Sequence, residues 1–271
     1  MKNPLFPLAA FLVLFMLMGP VAISQSFKSA QPYSEKKLLQ DFLCSEVVYP
    51  DDALEQKIEG KVVMSFIVEN DGSVNKVRVK QQVSPELDAE ALRLFRMLLW
   101  EPAISMGQPV ASENEYTINF NIKKYNKHCK QRGYTSSTYP FQPVDSSYIV
   151  YEYSQTENKP IAVFDEKGMR LKDFIAKNIK YPETAYRQNL SGIVTLGFVV
   201  EPHGRVSNIK VLQDVGGGCN QEAIRLLQMI KWMPGIKDGK AVRTIMNIDI
   251  EFRLPEESDM NMFESGQMQS Q

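Results

Sequence analysis

Apolar and polar positions alternate along this chain in a pattern that occurs twice. Val62, Met64, Phe66 and Val68 alternate with their neighbours, the period of a strand with one buried face, and Val194, Leu196, Phe198 and Val200 do the same. Asn70-Asp71-Gly72 and Pro202-His203-Gly204 follow as turns. A second strand carries Val74, Val77 and Val79, and correspondingly Val206, Ile209 and Val211. The first valine of each set is out of phase with the other two, so a bulge or local twist is expected there. The period then becomes helical: Ala91, Leu94, Phe95 and Leu98 share one face, as do Ala223, Leu226, Leu227 and Ile230. A last strand alternates Tyr116, Ile118, Phe120, Ile122 in one unit and Ile248, Ile250, Phe252, Leu254 in the other. Ahead of each unit, Leu39, Phe42, Leu43 and Leu171, Phe174, Ile175 stand at helical spacing. Tyr49-Pro50 and Tyr181-Pro182 stop those helices, because the residue before proline is pushed out of the α region.

A single offset relates the two units. Tyr49-Pro50 recurs as Tyr181-Pro182, 132 positions later, and the same offset links Gly60 to Gly192, Glu90-Ala91 to Glu222-Ala223, Arg93 to Arg225, Trp100 to Trp232 and Phe120 to Phe252. No gap is needed from Leu39 to Ile122 or from Leu171 to Leu254. Chance does not hold one register over so many positions, so this is a duplicated domain. The predicted fold class is α+β: two tandem αββαβ domains, each a three-stranded antiparallel sheet packed on a helix. The first domain is placed at 33–122 and the second at 160–254. A linker rich in Ser, Thr, Tyr and Pro, without a helical period, occupies 123–159; within 123–170, Tyr148 to Tyr153 and Ile161 to Phe164 read as short strands. Residues 255–271 read as a polar, disordered tail.

The N-terminus reads as an export signal, residues 1–24. Lys2 precedes an unbroken apolar run from Leu8 to Met18, Gly19-Pro20 breaks it, and Ala22-Ile23-Ser24 offers a small-residue cleavage pattern. An uncleaved inner-membrane anchor is the alternative, since Leu5 to Ile23 is nearly long enough to span a bilayer. Either way the rest of the chain is expected in the periplasm. Cys44 and Cys129 flank the first repeat and could be brought together, whereas three free thiols is the bland alternative. The net charge of −1 over 271 residues argues against nucleic acid. The basic run Lys123 to Arg132 is read as a solvated linker.

Tyr-Pro, an Ala three positions on, Gly-x-Val before a strand, a Gly hairpin, Glu-Ala in a helix and Trp-x-Pro before a Gly-containing turn form an ordered set. This set resembles the TonB C-terminal domain, and it is found twice. The resemblance implies a periplasmic module that engages outer-membrane TonB-dependent transporters, or another envelope protein, by adding a partner peptide strand beside its last strand. Carried onto this chain, the last strands are 114–122 and 246–254. Candidate partner-binding residues are Tyr181, Pro182, Ile245, Asn247, Asp249 and Glu251 in the second copy, and Tyr49, Pro50, Tyr116 and Ile118 in the first. The second copy is expected to keep the more accessible edge, because Lys123, Lys124, Lys127 and Lys130 follow the first. The chain departs from an energy transducer in two respects: only Gln25 to Leu38 precedes the first repeat, a reach of about 50 Å with no Pro-rich repeat to stiffen it, and the domain is duplicated where one suffices. A membrane-anchored transducer, and a structural envelope protein forming a homodimer through sheet edges, remain as alternatives.

No catalytic role is expected. His128 and His203 are the two histidines; one falls in the basic run and the other in a turn whose counterpart is Asp71. No HExxH, GxSxG, GxGxxG or phosphate-loop pattern occurs, and neither a cofactor nor a metal is expected. Trp100 and Trp232 read as core, Tyr49 and Tyr181 as packing at helix stops ahead of a contact role, Glu90 and Glu222 as residues early in helices, and Arg93 and Arg225 as exposed cations.

Overall fold

The computed structural model describes residues 27–135 and 143–254; the expected export signal and the C-terminal tail lie outside them. The first repeat contains α1 (Lys36–Glu46), α2 (Asp51–Glu55), β1 (Gly60–Val68), β2 (Val74–Gln81), α3 (Pro85–Arg96) and β3 (Ser112–Phe120), followed by α4 (Ile122–Arg132). After β4 (Val150–Glu152) the second repeat contains α5 (Leu171–Asn178), α6 (Glu183–Arg187), β5 (Gly192–Val200), β6 (Val206–Gln213), α7 (Cys219–Met229) and β7 (Lys240–Phe252). The α+β class and the αββαβ order are those read from the sequence.

The first sheet is antiparallel in the order β2-β1-β3, and the long β1–β3 ladder pairs Gly60 with Phe120 through to Val68 with Ser112. The alternating residues Val62, Met64, Phe66 and Val68 point into a core closed by Leu87, Ala91, Leu94 and Phe95 of α3. Fully burying each such aliphatic or aromatic side chain contributes about 1.5–3 kcal/mol. Ser84 caps α3 by accepting from Leu87 N at 3.3 Å, and Pro85 enters the first turn, where its missing N–H has no partner to lose. The second core repeats this arrangement with Val194, Leu196, Phe198 and Val200 against Ala223, Leu226 and Leu227.

The bulge expected in the second strand is present in both repeats. Register shifts occur between Ser65 and Ile67 and between Gly197 and Val199. The extra residue takes a left-handed conformation at the equivalent positions Lys76, φ 51°, and Asn208, φ 48°. Turns with two positive-φ residues precede the last strands: Asp238-Gly239 leads directly into β7, and Met106-Gly107 leads into Gln108–Val110 ahead of β3.

The structure differs from the sequence reading in several places. The second sheet is larger than three strands: it has five, because Gly235–Lys237 and β4 also pair with β7. The basic run is not an irregular linker but helix α4. Asn121 caps it by accepting from Lys124 N at 2.9 Å, Gly133 stops it at φ 76°, and Tyr125 is buried in the first core. Glu90 sits in the middle of α3 rather than near its start. It accepts from Val48 N at 2.8 Å and pairs with Arg93 at 2.7 Å. Arg93 is therefore no free exposed cation; it also donates to Glu46 O at 2.7 Å. Glu222 and Arg225 reproduce the brace, with Lys180 N and Asn178 O as the partners. All three cysteine thiols are free, and Cys44 Sγ lies 3.1 Å from His128 Nε2.

The repeats are docked through buried polar contacts. Asn208 Oδ1 accepts from Leu99 N at 2.8 Å, and its Nδ2 donates to Met97 O at 2.9 Å. Arg243, 3% exposed, pairs with Glu201 at 2.8 Å and donates to Met97 O at 2.7 Å and Tyr148 O at 3.1 Å. Leu38, on α1 of the first repeat, packs against the second core. The segment before α1 is also tied down: Phe27–Lys28 pairs with Ile104 and Ser105, and Gln31–Pro32 pairs with Trp100 and Glu101. Among the described residues no helix is long and apolar enough to cross a membrane.

Candidate functional site: the last-strand edges

In each repeat the last strand forms one side of the long central ladder, and its other side is where an added strand would lie. In the first repeat β3 pairs with β1 alone among the described strands. Its outer edge, Tyr116 to Phe120, forms the floor of a groove of about 540 Å³. One wall is α1 and its C-cap, with Leu43, Cys44 and Val47; the other is α4, with Lys124, Lys127 and His128, and the walls meet where Cys44 Sγ lies 3.1 Å from His128 Nε2. Tyr49, Tyr116 and Ile118 are brought together in this groove, while Pro50 is not among its lining residues.

Tyr49 is placed there by packing. It is 2% exposed, its hydroxyl donates to Ile58 O at 2.5 Å, and its ring meets Phe120 edge-on at 5.8 Å. Burial, with the nearby Glu59 charge, pushes the Tyr49 hydroxyl up to about 12. Tyr116 packs edge-on to Trp100 at 5.6 Å, and burial pushes its hydroxyl up to about 12 as well. Both tyrosines are thus neutral phenols that shape the groove by volume. Burial also raises the Cys44 thiol, so it is no ready nucleophile despite its histidine neighbour.

In the second repeat Tyr181 donates its hydroxyl to Leu190 O and meets Phe252 edge-on at 5.9 Å, the same arrangement as Tyr49. Pro182 leads into α6 as its N-cap. Asn247, Asp249 and Glu251 lie on the exposed face of β7, and Ile248 and Ile250 on the buried face. Asp249 accepts from Thr195 Oγ1 at 2.7 Å, and Glu251 pairs with Arg253 at 2.6 Å. Ile245 differs from the other candidates: parallel strand β4 pairs with Arg243–Ile245, Glu152 opposite Ile245. The linker therefore covers the start of the β7 edge, and the edge from Met246 onward has no strand partner among the described residues.

Sequence reasoning read α1 as a helix but missed the other groove wall, α4. The signals for α4 were present: an Asn cap, Tyr125, Cys129 and Arg132 at helical spacing, and a stopping glycine. The run of lysines masked them by suggesting a solvated stretch. Among the described residues, no group of three or more His, Cys, Asp or Glu side chains could hold a metal ion.

Solved structures of similar domains match parts of the chain. One is the solution NMR structure of the Pseudomonas aeruginosa TonB CTD, 26% identical over 35% of this chain and 89% of that one, with a TM-score of 0.27. Another is the NMR solution structure of the Helicobacter pylori TonB-CTD, 24% identical over 32% of this chain and 78% of that one, with a TM-score of 0.24. No curated protein matches the chain. The family model described as the Gram-negative bacterial TonB protein C-terminal matches residues 45–122 and 177–254, each running from the end of the first helix of a repeat through its last strand. With those two segments covering more than half of its length, the chain belongs to the TonB C-terminal family and carries its domain twice.

Proposed function

We propose that this chain is an exported, periplasmic, non-enzymatic binding protein that captures an extended peptide segment of an outer-membrane transporter or another envelope partner. Capture proceeds by β-strand addition to the last strand of a repeat. The observation that carries this reading is the outer edge of β3, which has no strand partner among the described residues and floors a groove walled by two helices. An open strand edge presents unpaired backbone groups to any extended segment, and the helical walls supply side-chain contacts that a bare edge lacks. The edge of β7 from Met246 onward is the second candidate surface.

The pairing of Phe27–Lys28 and Gln31–Pro32 with the first repeat weighs against an energy transducer. Those pairings consume the short segment that would have served as spacer, so an uncleaved anchor would hold the first repeat close to the inner membrane.

A photoreactive amino acid placed at Asn119 or Asp249 in intact cells tests the reading. Both positions are expected to crosslink an outer-membrane transporter or other envelope protein, and Arg78 on the opposite sheet edge is not. Equal capture from Arg78, or a product made only of this chain, would overturn it; the second outcome would favour edge-to-edge self-association.

A further inference from the structure

The face between the repeats holds a histidine that peptide capture does not use. His203 stands in the turn between β5 and β6, where the first repeat has Asp71. The two side chains do the same local job. Asp71 Oδ1 accepts from Ser73 N at 2.8 Å, and His203 Nδ1 accepts from Arg205 N at 3.3 Å. The second ring nitrogen makes the difference: His203 Nε2 lies 3.1 Å from Glu46 Oε1, and both side chains are only 1% exposed. Glu46 closes α1, so this buried contact joins the second repeat to the first.

The charges around the pair come from every element packed there. Arg205 Nη1 lies 3.7 Å from Glu46 Oε1, and its guanidinium sits 4.2 Å over the Tyr134 ring. Arg93 of α3 holds Glu46 O at 2.7 Å, Arg132 of α4 holds Ser45 O at 2.7 Å, and the Glu201–Arg243 pair completes the surroundings. Burial opposes a charge on His203, but the hydrogen bond and charge of Glu46, helped by Glu201 and resisted by Arg243, raise it above the ordinary imidazole value of 6.5. Burial likewise pushes Glu46 up, and His203, Arg205 and Arg93 bring it below the usual carboxylate range. Protonating His203 ends the bond from Arg205 N to Nδ1. That bond is long and neutral, whereas charge-assisted bonds are roughly twice as strong, so the contact with Glu46 decides.

We propose that the interface between the repeats is a proton-linked clamp: the His203 imidazolium holds the second repeat's turn on α1 through Glu46, and loss of its proton loosens the docking. The sign follows from the two directions. The His203 contribution is complete below 6.5 and is lost as pH rises through the raised value in the docked state. The Glu46 contribution is lost in acid, as pH falls through its lowered value. Docking is therefore tightest between these limits.

The Leu99 amide reports on the docking directly, because it donates across the interface to Asn208. Its hydrogen-exchange protection, corrected for intrinsic rate, is followed in the full chain between about pH 5 and about pH 9. Wild-type protection should fall by about tenfold for each unit by which His203 is raised. The Phe66 amide, inside the first sheet, should not follow it. In His203→Gln, whose amide can donate to Glu46 at every pH, the Leu99 profile should be flat. A flat wild-type profile, or the same slope in the variant, overturns the clamp. If the variant does not fold, the ring-proton shift of His203 in the wild type decides, since His128 is the only other histidine. A midpoint at or below 6.5 overturns the proposal.

Discussion

Lys76 and Asn208 occupy the same bulge in the two repeats, with φ of 51° and 48°, yet Asn208 alone bonds across to the other repeat. A bulge turns one side chain out of the alternation of its strand. In the second repeat that displaced side chain carries an amide, which can donate and accept at once, and it bonds both Met97 O and Leu99 N. Duplication supplied the backbone shape, and the side chain at that position made it an interface.

Asn208→Ala should therefore cost about 2 kcal/mol, because it leaves the Leu99 amide without its acceptor and Met97 O with Arg243 alone. Lys76→Ala removes an exposed side chain and should change stability by less than about 0.5 kcal/mol. Urea unfolding of the full chain compares the two. Equal effects would show that the Asn208 bridge adds nothing.

Arg243→Met should destabilise by about 3 kcal/mol or more, because Glu201 stays buried without its cation. The double change Arg243→Met with Glu201→Met should recover much of that loss, since two apolar groups leave no unpaired charge. A double variant as unstable as the sum of the singles would contradict this account.

Gly204 and Gly239 both have positive φ, but only one is crowded. A Cβ on Gly204 would lie 2.3 Å from Trp232 O, whereas a Cβ on Gly239 meets nothing within 4 Å. Gly239→Ala should cost about 1 kcal/mol from backbone strain. Gly204→Ala should cost more than about 3 kcal/mol or prevent the second repeat from folding. Thermal melts of the two variants distinguish these costs.

Leu38 gives the second core a residue from the first repeat. A fragment spanning 160–254 should therefore unfold at lower urea than the same repeat within the whole chain. Leu38→Ala should cost the whole chain about 1–2 kcal/mol, at the low end for a partly buried leucine. A fragment as stable as the intact chain would mean that the repeats are energetically separate.

The native protein should begin near Gln25, given Gly19-Pro20 and Ala22-Ile23-Ser24. Intact mass of protein from the periplasmic fraction checks this. A full-length, membrane-retained species would instead revive the transducer reading.

The sequence by itself determined the duplicated domain, its αββαβ order and its core. Alternation in Val62 to Val68, helical spacing in Ala91 to Leu98 and the shared offset are local or repetitive signals, and burial of an apolar face follows from them directly. It also placed the last strands, because their period is as regular as that of the strand they pair with. What only the tertiary structure decided lies wherever polar residues meet across long separations. His203 reads as a turn residue, and no pattern in the sequence singles out Asn208, Arg243 or Glu46. Their roles depend on where one repeat docks on the other, and no period in the chain encodes that approach. The same reason hid the α4 wall of the groove and the pairing of β4 with β7: a charged helix and a three-residue strand gain their meaning from the surfaces they cover.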